Sequence, residues 1–173
     1  AECALPGHAR IAVIVDYTLA RNPGEAYKKD ITERMIELLR ENHAARGSDY
    51  VEYKRIEAVP KTEPDGKARS IQKIGQEVQA KYVIYVNVTR FDIQADPYVP
   101  LISPVGEASV KVLDVGAGRS IWPLDVEGRA IRVEKRREPT EPSRANEGEW
   151  YKKLAGFLAE EAAGLFYDHR KDE

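Results

Sequence analysis

The three histidines of this chain are the residues best suited to metal binding or acid–base chemistry, and they are scattered. His8 lies near the amino terminus, His43 near the end of a predicted helix, and His169 in a charged carboxyl-terminal segment. None has a second histidine or a carboxylate at the spacing of an HExxH-type metal site. His43 is instead well placed for a favourable contact with the negative end of a helix dipole. We therefore predict no metal site, no cofactor and no catalytic residue.

Asp16, Tyr17 and Asp92 are the candidates for a ligand-binding crevice. Asp16 and Tyr17 end the first predicted strand, and Asp92 follows the third. Open α/β sheets gather ligand groups at the carboxyl ends of their strands. Carboxylates at these positions also cap loops and form turns, so both interpretations stay open. If the crevice exists, the chain is a small-molecule or nucleotide-binding domain, a class that includes hydrolases.

A glycine-rich segment, Gly116-Ala117-Gly118, has the composition of a phosphate-binding loop. Such loops bind anions because a helix begins directly after them and presents its free N–H groups. Here a predicted strand follows instead. The segment is therefore predicted to be the turn of a β-hairpin.

Residues 97–105 form the best candidate for a partner-binding surface. Loops are normally exposed and polar, yet this one carries five large apolar residues, Tyr98, Val99, Leu101, Ile102 and Val105. Such residues need something to cover them. One interpretation is that the loop folds over an open face of its own sheet. The other is that it docks onto a partner protein or a second copy, with prolines limiting the entropy lost on binding.

The single cysteine, Cys3, stands at the start of the chain. It cannot form an internal disulfide. A lone cysteine in this position is typical of a mature bacterial lipoprotein, in which the thiol carries the lipid anchor. Glu2 precedes it where the lipoprotein signal has a small residue, so an ordinary thiol in a frayed terminus is the alternative.

Composition indicates a soluble globular domain of ordinary size. The 173 residues are 42% hydrophobic and 32% charged, and 27 basic against 29 acidic side chains give a net charge of −2. This balance gives no electrostatic argument for nucleic acid as a partner. No stretch approaches the roughly 20 apolar residues that a transmembrane helix needs.

Hydrophobic periodicity predicts elements in the order β-α-β-α-β, followed by antiparallel strands and a carboxyl-terminal helix. Three prolines exclude regular structure from residue 92 to residue 106. The predicted elements are strand 10–16, helix 25–42, strand 50–59, helix 67–80, strand 81–91, strands 107–115, 119–124 and 128–134, and helix 147–169.

This order predicts a single α/β domain over residues 10–169, with helices packed on a mixed sheet. Residues 1–9 are predicted to be a flexible segment that would carry the lipid anchor. Residues 170–173 are predicted to be a charged tail.

Three local phrases carry a resemblance to a known family. They are DITERMIELL at residues 30–39, IGQEVQAKYVIYV at residues 74–86, and VKVLDVGAGRSIW at residues 110–122. With the order of elements, they resemble the bacterial envelope family that includes the curli secretion lipoprotein CsgG, the penicillin-binding-protein activator LpoB and the amino-terminal domain of TolB. The resemblance covers residues 10–122 and the closing helix, and its phrases contain no active-site signature.

The resemblance implies a periplasmic or outer-membrane-associated lipoprotein that works by contacting other proteins. We accordingly predict a non-catalytic envelope domain that binds an envelope protein partner or associates with itself, anchored through Cys3. The alternative is an assembly subunit located in the cytoplasm.

Overall fold

The computed structural model describes residues 1–94, 98, 101–135, 138–139 and 144–168. Eight strands and four helices lie in these ranges. In chain order they are β1 (Arg10–Tyr17), α1 (Glu25–Glu41), β2 (Asp49–Tyr50), α2 (Tyr53–Glu57), α3 (Ile71–Glu77), β3 (Tyr82–Asp92), β4 (Leu101–Ile102), β5 (Val105–Asp114), β6 (Arg119–Trp122), β7 (Arg129–Glu134), β8 (Glu138–Pro139) and α4 (Arg144–Ala163).

The main sheet is mixed, with strand order β2-β1-β3-β5-β6 and with β7 also paired to β5. Strand β1 runs parallel to both β2 and β3. All pairings of β5 are antiparallel. The predicted α/β class with a mixed sheet is therefore confirmed, because a parallel half built with helices joins an antiparallel half built from hairpins.

Helices α1 and α4 cover one face of the sheet and form the larger core. Alternate residues of the strands point to this face because side chains along a strand alternate between its two sides. The core residues from β1, α1, α4 and the segment after α4 include Ile11, Val13, Val15, Ile31, Met35, Leu39, Leu154, Leu158 and Phe166, all of them buried.

Helices α2 and α3 cover the opposite face, at the parallel end of the sheet. The smaller core between them and the sheet contains Ala12, Ile14, Ile56, Ile74, Val78 and Val83. The N-cap of α3 is Ser70, whose side-chain oxygen accepts a hydrogen bond from the Lys73 N–H at 3.2 Å. Such a bond fixes the start of a short helix.

The strand predicted at residues 50–59 is wrong over most of its length. Strand β2 contains only Asp49 and Tyr50, and α2 begins at Tyr53. Ile56 and Val59 are three residues apart, which fits one face of a helical turn, and both are buried against the sheet. Over so few residues, the apolar positions of one helical turn look like the alternation of apolar and polar residues in a strand.

The exclusion of regular structure from residue 92 to residue 106 is also wrong in part. Leu101 and Ile102 form β4, which pairs antiparallel with β8, and β5 already begins at Val105. Pro139 lies in β8 of this two-stranded sheet, where a residue without an N–H is tolerated because the ladder is so short.

The terminal helix and the amino-terminal segment both contact the sheet. Helix α4 ends at Ala163, earlier than predicted, and Leu165 and Phe166 pack after its end. The segment of residues 1–9 includes Leu5 and Ala9, which are buried. Among the helices described here, none has the length and apolar content to cross a membrane.

Candidate functional sites

Asp16 lines a cleft beside the carboxyl-terminal half of β1. The Tyr85 hydroxyl of the adjacent strand β3 donates a hydrogen bond to Asp16 Oδ2 at 3.0 Å. The cleft has a volume of about 230 Å³. Its lining comes from β1, α1, α2 and the segment after α2, and consists of Val13, Ile14, Val15, Asp16, Glu25, Lys28, Thr32, Tyr53, Ile56, Glu57 and Lys61.

Lys61 contributes a charged side chain to one wall of this cleft. Its Nζ donates a hydrogen bond to the Ile56 carbonyl at 2.6 Å. Burial lowers the pKa of Lys61, while the nearby Asp16 carboxylate acts in the opposite direction. On another wall, Lys28 and Glu25 form an ion pair at 3.4 Å. The lining of the cleft therefore combines carboxylates with amines.

The structure does not bring Asp92 and Tyr17 into this cleft. Asp16 lies opposite Asn87 in the β1–β3 register, and Asp92 comes only at the far end of β3. Tyr17 follows Asp16 directly, so its side chain points to the opposite face of the sheet. There its hydroxyl donates to the Gly24 carbonyl at 2.8 Å.

Asp92 lies beside an aromatic cluster at the end of β3. Its Oδ1 accepts a hydrogen bond from the Gln94 N–H at 2.9 Å. Phe91 and Tyr151 stack with ring centroids 5.4 Å apart, and the carboxylate helps to raise the pKa of Tyr151, after burial. Asp92 therefore forms a turn, which is the role that the sequence analysis gave as the alternative to ligand binding.

The predicted partner-binding loop divides into covered and exposed residues. Ile102 is fully buried, packed with Ile93 and Trp150, and Val105 is also buried. Both are covered by the domain itself and offer no surface to a partner. Tyr98 is 94% exposed. Leu101 lies in β4, and Val99 lies outside the described residues.

An exposed apolar segment, residues 121–126, runs from the end of β6 into the turn before β7 and was not identified from the sequence. Leu124 is 101% exposed, Val126 is 85% exposed and Ile121 is 40% exposed. In the described part of the chain, Tyr98 is the one other large apolar side chain with this degree of exposure. The signal in the sequence was two apolar residues alternating with Asp125 and Glu127 directly after Pro123.

His8, His43 and the glycine-rich segment 116–118, which the sequence analysis also considered, lie in turns or bends of the chain. His8 is held by a hydrogen bond from its N–H to the Arg46 carbonyl at 2.9 Å, and His43 follows the end of α1. His169 lies outside the described residues. Gly116-Ala117-Gly118 belongs to the hairpin turn between β5 and β6, as predicted, where the Ala117 N–H donates to Asp114 Oδ1 at 3.0 Å. No three His, Cys, Asp or Glu side chains of the described ranges come together as metal ligands.

Cys3 is half-buried against the larger core. The N–H groups of Glu2 and Cys3 both donate to the Leu165 carbonyl, at 2.8 and 3.0 Å. The Glu2 carboxylate accepts two hydrogen bonds from Arg129 of β7, at 2.7 and 3.0 Å. Burial raises the pKa of the Cys3 thiol. The residues around Cys3 are thus tied to both β7 and the segment after α4.

Comparison with known proteins identifies similar structures and no sequence relative. No protein-family model and no curated protein matches the chain. The structure of a singly substituted PelC dodecamer from Paraburkholderia phytofirmans is similar, with a TM-score of 0.53, 12% identity, and coverage of 94% of this chain and 90% of that one. Lipoprotein GNA1162 from Neisseria meningitidis has a TM-score of 0.50, 15% identity, and coverage of 87% and 98%. The chain shares the fold of these bacterial proteins.

The carboxyl-terminal domain of LpoB from Salmonella enterica is a weaker match. Its TM-score is 0.46 at 14% identity, and the match covers 76% of this chain and 85% of that one. At identities of 12% and 15%, the similarity to the PelC and GNA1162 structures shows the fold alone.

Proposed function

We propose that this chain is a non-catalytic domain of the bacterial cell envelope that contacts a partner protein or further copies of itself. The observation that carries the proposal is the exposure of Leu124 and Val126 in one turn. Apolar side chains that stand in water gain free energy when a second surface covers them. The resemblance of three sequence phrases to the CsgG, LpoB and TolB family supports the envelope assignment, as does the fold shared with a meningococcal lipoprotein.

Self-association belongs to the proposal because one similar structure is a dodecamer. An apolar turn at the edge of a sheet can contact a different surface of the next copy, and such head-to-tail contacts build rings or filaments. Tyr98 is a second exposed residue through which a partner could be held. The proposal extends to Val99 and Leu101 from their apolar character in the sequence.

Attachment through Cys3 is the proposed anchor, and a periplasmic or outer-membrane-associated position is the proposed location. A single acyl chain gives weak membrane binding, so a stable anchor needs more than one chain. Because the Cys3 N–H bonds to the Leu165 carbonyl, the anchoring residue lies against the folded domain, and an anchored domain would lie close to the membrane surface.

The alternative is a small-molecule or nucleotide site in the cleft at Asp16. At about 230 Å³ the cleft is smaller than the roughly 300–1,000 Å³ usual for such ligands. Thermal unfolding with a panel of nucleotides and divalent metals tests it. A ligand-dependent rise in the unfolding temperature that Asp16→Ala removes would favour this alternative over a protein-contact domain.

Site-specific photo-cross-linking in the native bacterium tests the proposed function. The cross-linking amino acid is placed at position 124, at position 126 or, as a control, at the exposed Lys152 of α4. We expect adducts from positions 124 and 126 in the envelope fraction, and none from position 152. Adducts from position 98 alone would move the contact to the loop. A protein found in the cytoplasm without adducts at any of these positions would contradict the proposal.

A further inference from the structure

A second cavity lies between the end of α1 and strand β2, beside the start of β1. Its volume is about 370 Å³, which falls in the range of roughly 300–1,000 Å³ usual for small-molecule sites. Of the residues that the structure describes, no aspartate or glutamate lines this cavity. The lining consists of Leu39, Arg40, His43, Ala45, Arg46, Gly47, Ser48 and Tyr50.

Tyr50 brings a hydroxyl group without a partner to this cavity. The residue is 6% exposed, and its hydroxyl oxygen is buried with no hydrogen-bond partner in the described part of the chain. Buried polar side chains normally have such a partner. Burial raises the pKa of Tyr50, so the phenol keeps its proton at neutral pH and can donate it. A bound ligand with an acceptor oxygen would complete this group.

Arg40 and Arg46 give the cavity a cationic rim. Both are exposed, and the Arg40 guanidinium carbon lies 5.7 Å from the centre of the Tyr50 ring. Neither arginine forms an ion pair with a carboxylate of the described residues. The carbonyls of residues 38–40, at the end of α1, already accept bonds from the N–H groups of residues 42–44. Both guanidinium groups are therefore left for an anion.

These donors fit a phosphate group better than a carboxylate. Guanidinium groups pair with the oxygens of either anion. A phosphate group, however, offers three strong acceptor oxygens. It can therefore accept bonds from Arg40, Arg46 and the Tyr50 hydroxyl at the same time.

The cavity lies at the same end of the domain as Cys3. Ser48, in its lining, donates a hydrogen bond to the Pro6 carbonyl at 3.3 Å and accepts one from the Ala9 N–H at 3.1 Å. Residues 6–9 therefore run beside the cavity. Pro6 is three residues after Cys3, and three residues of chain span at most about 11 Å. A membrane that holds Cys3 would lie within reach of this cavity.

We propose that this cavity binds a phosphate group and that a phospholipid headgroup supplies it. Arg40 and Arg46 pair with the phosphate oxygens, and the Tyr50 hydroxyl donates to a third. An acyl chain on its own binds a membrane weakly, so the headgroup contact adds a second attachment. The headgroup source rests on the proposed anchoring through Cys3, whereas phosphate binding itself does not.

NMR titration of the full chain with sn-glycerol 3-phosphate, a soluble headgroup fragment, tests phosphate binding. We expect saturable shifts of the amides of residues 43–50. Arg46→Gln should weaken binding at least about tenfold. The matched control is Arg119→Gln, exposed on β6 at the opposite edge of the main sheet, which should stay within about twofold of the wild type. No saturable shifts, or equal losses in both variants, would overturn the inference.

Tyr50→Phe tests the hydroxyl. Loss of this donor should weaken binding of sn-glycerol 3-phosphate at least about fivefold. The midpoint of urea unfolding should not fall, because the hydroxyl has no partner among the described residues in the unbound protein. A lower midpoint with unchanged binding would show that the hydroxyl serves the fold and would overturn its role in the site.

Sedimentation with vesicles of phosphatidylcholine and phosphatidylglycerol tests the source of the phosphate. Arg46→Gln should lower the bound fraction at least about threefold more than Arg119→Gln, since a basic residue at an anionic surface contributes about 1 kcal/mol. Equal binding of the two variants to vesicles, with sn-glycerol 3-phosphate still bound in the cavity, would overturn the headgroup and indicate a free phosphate compound. Cross-linked adducts from positions 124 and 126 would still support the proposed function.

Discussion

Gly106 of β5 lies directly under Leu158 of α4. A Cβ atom at position 106 would come within 2.9 Å of Leu158 Cγ and 3.0 Å of both Cδ atoms. Leu158 is 1% exposed and belongs to the larger core, so it has little room to move. The glycine therefore sets how closely α4 approaches the sheet.

Gly106→Ala should destabilise the protein by about 1–3 kcal/mol, the usual effect of adding atoms to a packed core. Urea unfolding followed by circular dichroism measures it. Gly156→Ala is the matched control, because a Cβ atom there meets nothing within 4 Å. In the interior of α4 this change should stabilise by about 0.5–1 kcal/mol. Equal effects of the two substitutions would show that the contact with Leu158 does not limit packing.

Ile102→Ala should destabilise the protein by about 2–4 kcal/mol, because Ile102 is fully buried with Ile93 and Trp150. Tyr98→Ala, four residues earlier, should change stability by no more than about 0.5 kcal/mol, since Tyr98 is 94% exposed. Chemical unfolding of both variants separates the covered part of the loop from its exposed part. A small effect of Ile102→Ala would mean that this residue is free for a partner.

Alkaline pH should weaken the fold. Burial, aided by the Asp16 carboxylate, raises the pKa of Tyr85 above that of a free tyrosine, which is about 10. In the unfolded chain the phenol loses its proton first, so stability is complete below pH 10 and falls as the pH rises above it. Urea midpoints between pH 8 and pH 11.5 test this. Tyr85→Phe should flatten the decline, and an unchanged slope would contradict the assignment to Tyr85.

Arg129→Ala should make Cys3 more reactive. The substitution removes both hydrogen bonds to Glu2, the residue before Cys3. In the wild type, partial burial raises the pKa of the thiol and slows its reaction, because the thiolate is the reactive form. Alkylation rates at pH 8 measure the change, and Arg132→Ala on the same strand is the control. We expect faster alkylation only in the Arg129 variant, and equal rates in both would mean that Glu2 does not hold the segment.

Much of the fold could be predicted because its elements carry strong local patterns. The continuous apolar run at residues 10–16 predicts a buried strand, and the apolar residues of α1 recur at helical spacing from Tyr27 to Leu39. Residues 50–59 were misassigned because ten residues are too few to separate a period of two from a helical turn at Ile56 and Val59.

The candidate sites were harder to predict because they depend on register and packing. Asp16 and Asp92 lie near the carboxyl ends of two adjacent strands, but only the β1–β3 register determines that they are far apart along the sheet. The same loop contains the buried Ile102 and the exposed Tyr98, and apolar character alone cannot separate them. The exposure of Leu124 and Val126 likewise appears only once β6 and β7 are in place.

The position of β5 between three partners indicates an order of folding. Its pairings with β3, β6 and β7 join segments that are close in sequence, such as Asp92 with Val105 and Asp114 with Arg119. The pairing of β1 with β3 instead joins Ile11 to Tyr82 across a long stretch of chain. Closing a longer loop loses more entropy, so the antiparallel half should form first and β1 should dock onto it later. The outer edge of β1 would then be the last part of the main sheet to be completed.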